Sequence, residues 1–92
     1  MLPFVRRTHL TVSILHEQSV EDSWAHMADA VILDLDDPVP ITEKASARSL
    51  VEKAIPKASR GGSEVFVRIN RSLAYADIEA SVWPGLNGIV CP

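Results

Sequence analysis

The segment Ala30-Val31-Ile32-Leu33-Asp34-Leu35-Asp36-Asp37 constrains this chain more than any other. Val31 to Leu35 is an apolar run of strand length, the pattern of a strand covered on both faces, and such strands belong to parallel sheets flanked by helices. The run turns acidic at its C-terminal end. A second segment, Glu64-Val65-Phe66-Val67-Arg68-Ile69-Asn70, has the same shape and ends on an arginine and an amide. In α/β proteins ligands sit at the carboxyl ends of parallel strands, so these two polar ends are where chemistry is expected. Together they suggest a site for a small, negatively charged oxo-acid or thioester.

The rest of the chain fits around them. Thr8 to Leu15 alternates and is rich in β-branched residues, which predicts a first strand. Ser19 is positioned as an N-cap, with Glu21 and Asp22 in the first turn of a short helix through Trp24 and Met27. After Pro38 and Pro40, Thr42 is a predicted N-cap for a helix over Glu43 to Ile55. Ala47, Leu50, Val51, Ala54 and Ile55 would form its apolar face, and Pro56 with Gly61-Gly62 would close it. A third helix is expected from about Ala74 to Val82, ending before Pro84-Gly85, and a fourth strand from Gly88 to Cys91. The order β-α-β-α-β-α-β implies right-handed crossovers and a parallel sheet. Four such strands make either an open sheet or the first half of a barrel, which takes eight.

Length and composition narrow the partners. A chain of 92 residues with 47 % hydrophobic and 23 % charged residues is one globular domain at most. A net charge of −3, with no basic cluster beyond Arg6-Arg7, argues against nucleic acid and anionic membrane surfaces. No apolar stretch nears the roughly 20 residues of a membrane span. Cys91 is the one cysteine, which rules out an internal disulfide, suits a reducing cytoplasm and predicts a small buried residue in the last strand.

Alternation along a strand places Asp34 and Asp36 on one face, opposite Leu33, Leu35 and Asp37. Phe66, Arg68 and Asn70 share a face in the next strand. Asp36 and Arg68 are one βαβ repeat apart, so neighbouring strands would bring their charges within reach. An arginine there grips a carboxylate or an enolate oxygen, or else forms a structural ion pair that caps the sheet. Asp37, pointing the other way, reads as a cap or loop contact. Lys44 and Arg48, one helical turn apart, form a small positive spot that either meets a cofactor phosphate or is a solvated face. Trp24 and Trp83 are expected to pack under their helices. His9, His16 and His26 lack metal-ligand spacing, and the sequence contains no glycine-rich phosphate loop, nucleophile elbow or zinc signature.

Taken in order, Arg7-Thr8, Ala28 to Asp37, Glu43-Lys44-Ala45 with Ala47-Arg48, Val65 to Asn70 and Gly88 to Pro92 resemble the citrate lyase β-chain group of the HpcH/HpaI aldolase superfamily. The resemblance runs from about Arg6 to Pro92. It implies the N-terminal half, about four β/α units, of a TIM barrel of the phosphoenolpyruvate-binding type, so that residues 1–92 form a partial domain truncated after the fourth strand. It implies a Mg²⁺-dependent carbon–carbon lyase acting on coenzyme A thioesters or 2-oxo and hydroxy acids. Arg68 would be the substrate-gripping residue, with Asp36 at the acidic strand end and Asp37 and Asn70 beside the substrate. The Mg²⁺ ligands would lie beyond residue 92, and the chain would form a homo-oligomer or pair with a missing C-terminal half. The family usually has Glu where Asp36 stands, and a Val-Pro-Gly turn where this chain has Ile14-Leu15-His16-Glu17.

Two other readings are open. One is a non-catalytic half-barrel whose free edge takes a partner. In the other, Val31-Ile32-Leu33-Asp34 followed by Pro38 faintly resembles the phosphoacceptor strand end of a receiver domain. That domain needs an acidic pair after its first strand, and only Glu17 is offered.

Overall fold

The expected strands form in a computed structural model that describes residues 8–26, 28–36, 39–70 and 73–91. They are β1 (His9–Ser13), β2 (Ala30–Asp34), β3 (Glu64–Arg68) and β4 (Gly88–Val90). Between them run α1 (Glu17–Asp22), α2 (Lys44–Ser49), α3 (Val51–Ala58) and α4 (Ala74–Ser81). All described strands are parallel, and their spatial order β1-β2-β3-β4 is their order along the chain.

That order decides where the helices go. Right-handed crossovers that always step the same way stack every helix on one face of the sheet. A doubly wound sheet reverses direction and covers both faces. Here α1 packs beside α3, and α3 beside α4. Beneath them Val31, Leu33, Val65 and Val67 are fully buried, together with Ala47, Val51 and Ala58 from the helices. The opposite face behaves differently. His9 and Thr11 are exposed there, Ile32, Phe66 and Arg68 are half-buried, and only Ala30 and Asp34 of the described β2 residues on that face are buried. The apolar run of β2 is thus covered by helices on one face, not on both as its pattern implied. One-way winding over a single helix layer is compatible with part of a TIM-barrel-type domain.

The helices depart from the expected boundaries in ways that packing explains. α1 begins at Glu17 rather than after Ser19, because the chain turns at once: His16 N–H donates to Ser13 O at 3.1 Å and Val20 N–H to His16 O at 3.0 Å. It passes into a 3₁₀ turn at Ser23–His26, and Met27 lies outside the described residues. The second helix is two pieces that break at Leu50, which is left 39 % exposed, and Glu43 rather than Thr42 precedes the first piece. Pro56 does not end α3. The helix runs on to Ala58, which is fully buried, and that burial outweighs the hydrogen bond proline cannot make.

Other expectations change at the surface. Trp24 and Trp83 are both partly exposed instead of lying under their helices. Trp24 stacks with the Arg60 guanidinium 4.8 Å from its ring centre, and Trp83 donates its indole N–H to Ala80 O at 2.6 Å. The chain reverses beside Trp24 through Gly62, whose φ of +92° favours glycine. Cys91 is exposed just past the end of β4, not buried within it.

Two measurements test this layering. Leu33→Ala, on the helix-covered face, is expected to lose about 2–5 kcal/mol in urea unfolding, and Ile32→Ala, one residue away on the open face, clearly less. Lys57 on α3 pairs with Glu21 at 2.9 Å and Glu17 at 3.8 Å on α1, and the Glu21 hydrogen bond raises its pKa above 10.5. A raised pKa means that this contribution is full below 10.5 and is lost as pH climbs through the folded value. Glu21→Gln is therefore expected to flatten the alkaline fall in stability.

Candidate active site

Parallel pairing in register lines up side chains in rows across the open face. One row is Thr11, Ile32, Phe66 and Gly88, and the next toward the carboxyl ends is Ser13, Asp34, Arg68 and Val90. The lower row is apolar apart from Thr11, and Gly88 leaves room for the Phe66 ring, since a Cβ there would meet it at 3.0 Å. The upper row is polar. The strand ends therefore make a half-buried apolar floor with charges at its rim.

Arg68 sits at the centre of that rim. Its Nη1 lies 3.7 Å from Asp34 Oδ2 and its Nη2 3.8 Å from Asp36 Oδ2. The side chain is 36 % exposed, Asp36 26 % and Asp34 only 4 %. Both contacts are too long for hydrogen bonds, so the two carboxylates hold the guanidinium by charge. The convergence of Asp36 and Arg68 expected from their spacing is present.

The other candidates are placed differently. Lys44 and Arg48 do not make a common positive spot. Lys44 is buried, and its ammonium donates to the carbonyl oxygens of Leu35 at 3.2 Å and Asp36 at 2.8 Å. Its charge therefore serves the turn after β2. Arg48 donates through Nε to Asp77 Oδ1 at 2.8 Å. Asp77 is 1 % exposed and its other oxygen accepts the main-chain N–H of Asn70 at 2.7 Å. Asn70 is itself buried, drawn toward α4 instead of standing open beside Arg68. Asp37 lies outside the described residues.

Three groups of consequence escaped the sequence reading. The sequence offers Asp34 for its face and as the phosphoacceptor of the receiver alternative, but not as the buried carboxylate that meets both the Asp36 N–H and Arg68. Asp77, with Ser81 one turn on donating to its carbonyl at 2.6 Å, is a buried polar anchor inside a helix that reads as ordinary. Asn87 both gives and takes a hydrogen bond with Val65, each at 2.8 Å, and so fixes where β4 joins the sheet. A signal for Asp77 was its place in the first turn of a helix, where carboxylates act on nearby N–H groups. Among the described residues no group of three or more His, Cys, Asp and Glu side chains is arranged to hold a metal ion. No helix among them is long and apolar enough to cross a membrane.

The chain is similar to known proteins of one family. The family model described as HpcH/HpaI aldolase/citrate lyase matches residues 7–92. Over 91 residues the chain is 37 % identical to a citrate lyase subunit beta of Leuconostoc mesenteroides subsp. cremoris, covering 96 % of this chain and 30 % of that protein. It is 32 % identical over 90 residues to a citrate lyase subunit beta of Escherichia coli (strain K12), covering 95 % and 30 %. The chain thus spans 30 % of the length of these curated relatives.

The Arg48–Asp77 pair offers a test of what holds the turn after β3. Arg48→Ala and Asp77→Asn are each expected to destabilise the chain, because each leaves a partner without its charge. The double variant should lose less than the sum, with a coupling of about 0.5–3 kcal/mol in a double-mutant cycle.

Proposed function

The chain belongs to the HpcH/HpaI aldolase/citrate lyase family, and from that premise we propose that it supplies the substrate-binding wall of a carbon–carbon lyase. The substrate class is an acyl-coenzyme A thioester or a 2-oxo or hydroxy acid. Arg68 carries the reading, because it is an arginine at the carboxyl end of a parallel strand, held between two carboxylates at distances longer than hydrogen bonds. A guanidinium in that state binds a carboxylate bidentately. It also offers donors to the oxygen on which negative charge grows when the carbon–carbon bond breaks and an enolate forms. Asp36 would keep the guanidinium facing that oxygen, and Asp37 is proposed as a substrate contact on the family resemblance alone. Ile32 and Phe66 would meet the carbon skeleton.

Lys44 and Arg48 are not carried forward as contacts for a coenzyme phosphate, since both cations are engaged within the chain. The Mg²⁺ that the family likeness implies finds no ligand set among the described residues. Its place in this proposal is outside these 92 residues, and no step here depends on it.

The proposal extends to the fold. β1 and β4 each keep one unpaired edge among the described strands, the open face is half-buried, and α4 exposes Tyr75 and Ile78. These surfaces fit a barrel wall completed by further strands, from additional chain or from a partner.

Titration of the chain with pyruvate, followed by NMR, tests the binding role. Shifts are expected at Arg68, Asp36 and the Phe66 ring. Arg68→Ala should weaken binding about ten- to hundredfold, equivalent to about 1.5–3 kcal/mol for a charged hydrogen-bonded pair. The 92-residue chain with Mg²⁺ is expected to show no lyase turnover of its own; turnover would refute the division of labour proposed here.

A further inference from the structure

The two oxygens of the buried Asp34 carboxylate face the two members of the rim pair separately. Oδ1 accepts the main-chain N–H of Asp36 at 2.8 Å, and Oδ2 stands 3.7 Å from Nη1 of Arg68. The first contact bends the chain just after β2 so that Asp36 returns to the face it would share with Asp34 in an extended strand. The second fixes one end of the guanidinium while Asp36 fixes the other. Lys44 completes the hold on the turn: its ammonium takes the Asp36 carbonyl at 2.8 Å, so that both main-chain polar groups of Asp36 are tied to a charged side chain.

We propose that Asp34 is the positioning residue of this site, setting the angle of Arg68 and the place of Asp36 with one carboxylate. The binding consequence rests on the function proposed above; the positioning itself does not. Burial suits the role. At 3 % exposure Asp34 is shielded from water that would weaken its charge on Arg68, and its short side chain leaves little freedom to wander. A substrate carboxylate cannot easily displace it, because its place is set by β2 and by the Asp36 amide.

The sign of one substitution separates positioning from bulk electrostatics. Asp34→Asn keeps an oxygen for the Asp36 N–H but removes the charge that faces Arg68. If Asp34 were only a negative charge near an anion site, its loss would tighten pyruvate binding. Positioning predicts the reverse, with binding weaker by about tenfold or more although the site has gained positive charge. Unchanged or tighter binding would overturn the proposal.

Two readouts need no ligand. The Asp36 amide should be protected from hydrogen exchange in the wild-type chain and in Asp34→Asn, and lose protection in Asp34→Ala. The Arg68 Nε–H should show restricted motion by ¹⁵N relaxation in the wild type and become mobile in both variants. If the wild-type chain fails to bind pyruvate, the proposed function falls, and these two readouts still judge Asp34. An unprotected Asp36 amide or a freely moving Arg68 in the wild-type chain overturns the positioning role without any variant.

Discussion

β2 and β3 pair in parallel with Asp34 opposite Arg68, and the character of this molecule follows from that register. In a sheet, side chains alternate between faces, so a slip of one residue would send Arg68 under the helices and bring Val67 out. What prevents the slip is apolar. Val31, Leu33, Val65 and Val67 are fully buried on the helix side, and each is worth about 1.5–3 kcal/mol when removed from water. A slip would forfeit several such terms at once and bury a guanidinium. The position of the charged rim is thus fixed by residues that never touch it.

Charge balance then explains how the rim tolerates being half-buried. Around the end of β2 stand two carboxylates, Asp34 and Asp36, and two cations, Arg68 and Lys44. The ammonium is spent on carbonyl oxygens that the sheet cannot satisfy, because the strand ends there. The guanidinium is left at ion-pair distance without short hydrogen bonds. Buried polar groups are stable when partnered, and among the described residues no buried side-chain nitrogen or oxygen lacks a partner. This arrangement places a cation at the half-buried rim without leaving a bare charge in the apolar layer.

Much of this was legible in the sequence, for a physical reason. A run such as Val31 to Leu35 has few alternatives to a strand, and spacing with alternation brings Asp36 near Arg68, although the strand ends at Asp34 and a turn held by Asp34 sets the final place of Asp36. The helices were harder to bound. Ser19 and Thr42 have the chemistry of caps, but the chain after β1 turns directly at Ser13–His16, and Glu43 takes the place before α2. Pro56 was read as a stop because local propensity says so, whereas the burial of Ile55 and Ala58 against the sheet decides otherwise. Lys44 and Arg48 looked like a solvated or phosphate-binding pair because their true partners, the carbonyls after β2 and Asp77 on α4, are distant along the chain or belong to the backbone. Pattern reading sees neither kind.

The same logic accounts for Asp77 and Asp34, the two buried aspartates that pattern reading undervalued. Each lies next to a strand end and accepts a main-chain N–H from the turn there, Asp36 after β2 and Asn70 after β3. Each also faces an arginine, Arg68 or Arg48. The two turns are therefore held by equivalent devices with different outcomes. Arg48 bonds Asp77 through Nε at 2.8 Å and so braces the helix layer. Arg68 stays at 3.7 Å from Asp34 and is held by charge without a short hydrogen bond. A difference of about one ångström in ion-pair length thus separates a hydrogen-bonded brace within the helix layer from a looser charge pair at the end of β3.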